Sequence, residues 1–221
     1  MRTPPHLSVL CALVFLTASP VWADFSSVER GGTSTRCAPA VSPDGLGEDV
    51  LAFCDREHEY NDIPAALAGL PYVIVSNSDK TQADYSLAVT LDTDGVILIF
   101  LDNRIPDGDN LTPAAPGGGV MDWVVTMGFT DTGFDIGVDE SGDGIINQTS
   151  SVYQLAVDAG ETVLLQQDNT GGRNMYGVAC ASELFGQAQV PASTPTGLIL
   201  GICLLLVAGI FVLRRRAAAA L

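Results

Sequence analysis

The sequence predicts a mainly β protein, with a single antiparallel β-sandwich of jelly-roll type between an N-terminal signal peptide and one C-terminal transmembrane helix. Three observations support this class. Eight or nine short stretches rich in β-branched and aromatic residues follow one another, most of them after residue 72. Clusters of Gly, Asp, Asn and Pro separate these stretches. Both ends of the chain carry apolar runs without charged residues.

These features divide the chain into five segments. The boundaries follow changes in composition rather than any repeat. We predict a signal peptide over 1–23, an exported β-sandwich domain over 24–189, a proline-containing tether over 190–196, a transmembrane helix over 197–213 and a basic cytoplasmic tail over 214–221.

Residues 1–23 have the composition of a secretory signal peptide. Arg2 supplies the positive start, and residues 7–17 form a short apolar run. Val21-Trp22-Ala23 places small residues at the two positions that a signal peptidase reads. A second membrane span is disfavoured because the apolar run is short and Pro20 interrupts it. We expect cleavage before Asp24 and export of the domain that begins there.

The exported domain is strongly acidic. It holds all 26 acidic residues of the chain but only six of its 10 basic residues. This balance excludes nucleic acid as a partner, because binding to phosphates requires a basic surface. It is compatible with plain solubility and equally with a divalent cation held by clustered carboxylates.

The strands of the domain are predicted from two hydrophobic patterns. Residues 85–91 alternate apolar and small or polar side chains, which indicates a half-buried strand. Residues 96–101 are continuously apolar, which indicates a central strand buried on both faces. Further strands are predicted over 50–54, 72–76, 123–127, 134–138, 152–157, 162–165 and 175–181.

Two segments of the domain do not have a strand pattern. Residues 24–46 are rich in Gly, Ser, Thr and Pro and predict a loop-like lead-in. Residues 62–69 are the one helical signal, of two turns at most, with Asp62 as cap, Pro64 in the first turn and Gly69 at the end.

Three cysteines lie between the hydrophobic ends. Export permits disulfides, and a bond between Cys37 and Cys54 is favoured because it closes a short loop. Such a loop contributes roughly 3 kcal/mol in the chain-entropy account. Cys180 is then a free thiol on a buried strand, although its pairing with either of the other two stays open.

Residues 139–147 resemble the start of an EF-hand or dockerin calcium loop. Gly144 stands where such a loop turns sharply, and Ile146 where it directs an apolar residue inward. Ser150 stands where a bidentate Glu would complete the site, and an ordinary polar turn remains the alternative. If Ca²⁺ binds here, the predicted ligands are Asp139, Ser141, Asp143, the carbonyl of Ile145, and Asn147.

A second acidic loop follows the predicted central strand. Asp107 and Asp109 could hold a cation or line a sugar site, whereas Arg104 is expected to pair with a nearby carboxylate. His58 is the one histidine left after signal removal, so no two-histidine zinc motif exists. No Gly-x-Ser-x-Gly motif exists either, and a surface or ion-paired His58 is expected.

The C-terminal segment combines a short proline-containing lead, an apolar run and a basic stop. Residues 197–213 would span about 26 Å as a helix, near the lower limit for a bilayer core of about 30 Å. A single segment in lipid must be helical, because its backbone polar groups have to pair internally. The arginines at 214–216 favour a cytoplasmic C-terminus.

This arrangement resembles the IPTL-CTERM sorting signal, a relative of PEP-CTERM. Val190 and Pro191 match the opening pair of that motif, and Thr194 stands at its hydroxyl position. Gly197-Leu198-Ile199 matches the helix entry. The stop matches with Arg214, Arg215 and Arg216. The resemblance implies an exosortase-type processing enzyme as partner, in addition to the lipid bilayer.

No catalytic motif is readable, so the sequence favours an exported, membrane-tethered envelope protein with a binding or structural ectodomain. The alternative is a surface module that recognises or cleaves carbohydrate, with an extracellular polysaccharide as partner. A cleaving enzyme would require paired carboxylates in a cleft. A binding module would be expected to show an aromatic platform near Trp123 or Tyr153.

Overall fold

The computed structural model describes residues 23–167 and 171–186. The signal peptide up to residue 22 lies outside this range, as do the tether, the proposed span and the basic tail. Among the described residues, no helix is both long and apolar enough to cross a membrane.

The described chain is built from strands with very little helix. A short 3-10 helix covers Asn77–Thr81, and one α-helix, α1, covers Asp122–Met127. The strands, in chain order, are β1 Phe25–Gly31, β2 Ala40–Val41, β3 Val50–Leu51, β4 Glu59–Asn61, β5 Tyr72–Ile74, β6 Ser86–Leu91, β7 Gly95–Asp102, β8 Thr130–Asp139, β9 Gln148–Val157, β10 Thr162–Gln166 and β11 Gly177–Ala181.

The strands form two antiparallel sheets that share one hydrophobic core. The smaller sheet has the order β1-β6-β10, and the larger has the order β2-β5-β11-β7-β9-β8-β4-β3. β6 contributes Leu87, Val89 and Leu91 to the core, as its alternating pattern predicts. β7 is buried from Val96 to Asp102, as its continuous apolar run predicts. The mainly β, antiparallel prediction is therefore confirmed.

Three local predictions were wrong, and tertiary contacts explain each of them. Residues 24–46 contain β1, whose polar sequence is tolerated because it pairs along only one side, with β6. Residues 62–69 form turns instead of a helix. The predicted strand at 123–127 is the helix α1, which buries Trp123 and Val124 and ends at Gly128 with φ +86°. Burial of one helical face outweighs the β preference of valine and threonine.

Cys37 and Cys54 form a disulfide, the pairing favoured by the sequence, with their Cα atoms 6.3 Å apart. It joins the segment after β1 to the segment after β3. Cys180 is a free thiol on β11 and is completely buried. Burial raises the pKa of this thiol to about 12, with a further contribution from the negative charges of Asp24 and Asp92.

A group of aromatic side chains packs on one face of the larger sheet. The ring of Tyr60 meets those of Tyr72 and Phe100 edge-on, with centroids 5.9 and 5.6 Å away. This packing leaves no room for a side chain at position 177 of β11. A Cβ there would lie 2.5 Å from Phe100 Cδ2 and closer still to the Tyr60 hydroxyl. Gly177 is therefore required by close packing rather than by backbone conformation.

We predict that Gly177→Ala destabilises the domain by about 1–3 kcal/mol, because the added methyl overpacks the aromatic group. Urea unfolding of the exported domain would measure this. The matched control is Gly47→Ala, where the nearest atom to the new Cβ is Val50 Cγ1 at 3.8 Å. Equal midpoints for the two variants would contradict the packing argument.

Candidate functional site

The best candidate site is one end of the larger sheet, which we call the loop pole. Here β7 ends at Asp102 and β8 ends at Asp139, while β9 begins at Gln148 and β11 begins at Gly177. Because neighbouring strands are antiparallel, the segments 103–121, 140–147 and 171–176 meet at this end. Segments of this kind carry function more often than the strands that position them.

A buried carboxylate organises the pole. Asp102 is 1% exposed, and its Oδ1 accepts hydrogen bonds from the backbone N–H and Nε of Arg104, at 3.0 and 2.8 Å. Its Oδ2 accepts a hydrogen bond from the backbone N–H of Asn174 at 2.8 Å. Arg104 also approaches Glu140 Oε1 at 3.4 Å. The expected pairing of Arg104 with a carboxylate is therefore present, and its hydrogen bonds to Asp102 raise the pKa of Arg104.

Two asparagines extend this network towards the 3-10 helix. Asn174 Nδ2 donates to Glu140 Oε1 at 3.0 Å, and Asn77 Nδ2 donates to Asn174 Oδ1 at 3.2 Å. The backbone N–H of Met175 donates to Asn77 Oδ1 at 2.8 Å. Both asparagines are buried, so their amides need these partners. The network joins the segments that follow β5, β7 and β8 to the one that precedes β11.

His58 lies beside this network and is half-buried. Burial lowers the pKa of His58, and the nearby negative charge of Glu140 opposes that effect only in part. Its ring packs edge-on against Phe53 with centroids 5.7 Å apart. Its buried Nδ1 has no hydrogen-bond partner in the described part of the chain. The imidazole is therefore half-buried and favours the neutral form, in contrast to the predicted surface or ion-paired histidine.

The proposed calcium loop is held in shape by its own backbone. Asp139 is fully buried, and its Oδ1 accepts hydrogen bonds from the N–H groups of Ser141 and Gly142 at 2.8 and 2.9 Å. Its Oδ2 accepts from the N–H of Gly144. Burial alone would raise the pKa of Asp139, and these hydrogen bonds outweigh it and hold the pKa below its ordinary value. The carboxylate thus remains ionised near neutral pH.

The other predicted ligands lie on the surface of the same loop. Asp143 Oδ1 accepts from the N–H of Ile145 at 3.0 Å, and Asn147 Oδ1 accepts from the N–H of Glu140 at 2.6 Å. Ile146 packs over Gly137 on β8 while remaining 43% exposed. Within residues 23–167 and 171–186, no group of three or more His, Cys, Asp or Glu side chains is placed to hold a metal ion. Calcium binding stays a prediction.

Asp107 and Asp109 form tight turns within the neighbouring loop. Asp107 Oδ1 accepts from the N–H of Asp109 at 2.9 Å, and Asp109 Oδ1 accepts from the N–H of Leu111 at 2.8 Å. Both carboxylates are exposed. The loop is joined to the start of β9, since Asn110 Oδ1 accepts from the N–H of Thr149 at 3.0 Å.

The aromatic platform expected of a sugar-binding module is not found at either predicted residue. Trp123 is 7% exposed, packs against Phe129 and Tyr176, and donates from Nε1 to the carbonyl of Gln167 at 3.0 Å. Tyr153 donates its hydroxyl to the carbonyl of Ala114 at 2.6 Å, and so fixes the 103–121 segment. Both side chains stabilise the fold.

The end of the sheet opposite the loop pole has a different character. An open pocket of about 420 Å³ there is lined by four carboxylates, those of Asp94, Asp158, Glu161 and Glu183. None of its lining residues is basic. Nearby, Phe185 is held by Gln154, which donates from Nε2 to the Phe185 carbonyl at 2.9 Å and accepts from its N–H at 2.7 Å. These two hydrogen bonds fix Phe185 against β9.

Sequence reasoning assigned no individual role to the central members of the network, namely Asp102, Asn77 and Asn174. The available signal for Asp102 was its place directly after the buried apolar run 96–101. A charged residue at the end of such a strand needs a partner, which Arg104 supplies two positions later. Nothing in the sequence connects Asn77 with Asn174, which lie 97 positions apart.

Comparisons with known proteins support the fold. No family model matches the sequence, and no curated protein matches it. Among solved structures, the chain is similar to a β-glucuronidase from glycoside hydrolase family 2, with 19% identity and a TM-score of 0.50. The likeness covers 70% of this chain and 14% of that chain. It agrees with a β-sandwich.

We predict that millimolar Ca²⁺ raises the melting temperature of the exported domain if residues 139–147 bind it. Calcium at about a hundred times its dissociation constant would add roughly 2.7 kcal/mol of stability. Thermal melting with calcium and with chelator measures the shift, which Asp143→Ala should abolish. Asp107→Ala is the matched control in the other acidic loop. A calcium shift removed only by Asp107→Ala would move the site there, and no shift in the wild type would contradict calcium binding.

Proposed function

We propose that the protein is an exported cell-envelope protein, tethered to the membrane by an IPTL-CTERM-like tail, whose ectodomain has a binding or structural role. The observation that carries this proposal is the three-part tail at 190–216. The Cys37–Cys54 disulfide supports it, because such bonds persist in oxidising compartments. The bilayer and an exosortase-type enzyme are the partners it requires.

The loop pole is the surface through which we propose that the ectodomain acts. Its segments are fixed by the buried side chains of Asp102, Asn77 and Asn174, so the surface is preorganised. The 103–121 segment is long for a connection in a compact domain and is attached to β9 through Tyr153. Preorganised long loops on a rigid sheet are typical of recognition surfaces.

Binding is favoured over catalysis by the contacts of the acidic side chains at this pole. Asp102 and Glu140 both form ion pairs with Arg104. A glycosidase instead uses a pair of carboxyl groups that flank the substrate bond. Asp102 is moreover buried and hydrogen-bonded on both oxygens. These contacts suit a structural or ligand-positioning role.

The tail predicts a specific result in cell fractionation. Deletion of Arg214–Arg216 should reduce retention in the membrane fraction, because the basic stop fixes the cytoplasmic end of the span. The control replaces the same three residues with lysine, which keeps the charge and should preserve retention. Immunoblots of membrane, surface and medium fractions would measure it. Identical distribution of the deletion and the wild type would contradict the proposed tether.

Carbohydrate recognition is the second candidate, favoured by the fold likeness to part of a glycoside hydrolase. With Trp123 buried, recognition would depend on hydrogen bonds at the loop pole rather than on stacking at that residue. Glu140 is the network carboxylate with the most exposed side chain, at 31%. It is therefore the residue placed to accept hydrogen bonds from sugar hydroxyls.

We predict that extracellular polysaccharide from the organism that makes this protein retards the ectodomain in affinity electrophoresis. Glu140→Gln should weaken this binding by about tenfold, as expected for the loss of roughly 1.4 kcal/mol from a charged hydrogen bond. Asp158→Asn, at the opposite end of the sheet, is the control and should bind like the wild type. Equal loss in both variants would place the interaction elsewhere. No retardation of the wild type would favour the purely structural role.

A further inference from the structure

The peptide bond that the sequence marks for signal cleavage is part of the folded sandwich. Ala23 is 1% exposed, and its backbone N–H donates to Ser182 Oγ at 3.0 Å. Its carbonyl oxygen accepts from Cys180 Sγ at 3.4 Å. The N–H of Asp24 donates to Asp92 Oδ1 at 2.9 Å, and the N–H of Asp92 donates to the Asp24 carbonyl at 3.0 Å. Both the carbonyl oxygen and the nitrogen of the Ala23–Asp24 bond therefore have partners.

The bond is also close to regular structure. β1 begins at Phe25, directly after Asp24, and pairs with β6 along its length. The methyl group of Ala23 lies where any side chain at Gly95 would have to go, since a Cβ built there falls 2.9 Å from Ala23 Cβ. A peptidase needs the chain around the bond to be accessible. In the folded domain Ala23 is buried and its carbonyl is engaged.

We infer that the sandwich closes over its own processing site, so that the signal peptide must be removed before β1 pairs with β6. A chain that folds first is then protected from cleavage. This inference rests on the proposed export and adds an order of events to it. The inferred order depends on the contacts of Ala23 and Asp24, because these contacts form only when β6 and β11 are in place.

Cleavage also changes the chemistry at this point. Water adds across the Ala23–Asp24 bond, Ala23 leaves with a carboxylate, and Asp24 keeps the nitrogen as an ammonium group. Where an amide N–H met Asp92 Oδ1, the mature chain presents a positive charge to a carboxylate. The departure of Ala23 also removes the carbonyl oxygen to which the Cys180 thiol donates. The mature domain should therefore differ from the folded precursor in one ion pair and in the surroundings of one thiol.

The order of events is tested with the purified full-length chain and a signal peptidase in detergent. In one arm the peptidase is present while the unfolded chain refolds, and in the other it is added after refolding. We expect cleavage before Asp24 in the first arm, detected by mass, and strong protection in the second. Val89→Ala, which loosens the buried side of β6, should partly restore cleavage in the second arm.

The outcomes separate the two proposals. Equal cleavage before Asp24 in both arms would overturn the inferred order and leave export standing. Cleavage at another bond would overturn the assignment of the site. No cleavage in either arm would contradict the signal peptide, and the inference would fall with the proposed export.

A second measurement follows the ion pair in the exported protein. Asp92→Asn should lower the melting temperature of both forms, and by about 2 °C more in the mature chain than in the folded precursor. This difference is expected from the loss of one partly exposed ion pair, between the Asp24 ammonium group and Asp92. Asp94→Asn is the control, because Asp94 Oδ1 accepts from the N–H of Ala159 and should affect both forms equally. Cys180 should be alkylated faster in the mature chain. Equal melting shifts together with equal labelling rates would contradict the contacts of Ala23 and Asp24 on which the inference rests.

Discussion

The burial of β7 on both faces is the constraint on which the rest of the structure depends. Every side chain from Val96 to Asp102 is removed from water, so the strand tolerates polar groups only at its ends. Its neighbours in the sheet pair with it in a regular antiparallel register, β9 over residues 95–102 and β11 over residues 96–100. The polar chemistry of the domain is consequently concentrated at the two ends of the sheet.

The two ends meet this constraint differently. At the loop pole, Asp102 is buried with an arginine and an asparagine that satisfy both of its oxygens, which joins segments far apart in the chain. A buried carboxylate without such partners would be strongly destabilising. At the other end, the carboxylates around the pocket at Gly95 lie close to solvent. Carboxylates thus stabilise the fold at one end of the sheet and form a solvated surface at the other.

The acidic turn at residues 139–147 shows how one residue pattern serves two kinds of loop. Asp139 and Asp143 direct carboxylate oxygens to backbone N–H groups of their own loop, as in an ordinary polar turn. The loop therefore has both the residue pattern of a calcium site and the hydrogen bonds of a polar turn. Sequence patterns of Asp and Gly do not separate these two cases, because both use the same turn chemistry.

Local sequence was sufficient to predict the mainly β class, the central strand at 96–101, the alternating strand at 85–91 and the Cys37–Cys54 partnership. These depend on local hydrophobic period and on short separations along the chain. Tertiary contacts were needed to make residues 122–127 helical, to place Trp123 in the core rather than on a platform, and to bring Asn77, Asp102 and Asn174 into one network. The physical reason is that burial and hydrogen-bond partnership are set by residues distant in the chain, and these outweigh local propensity.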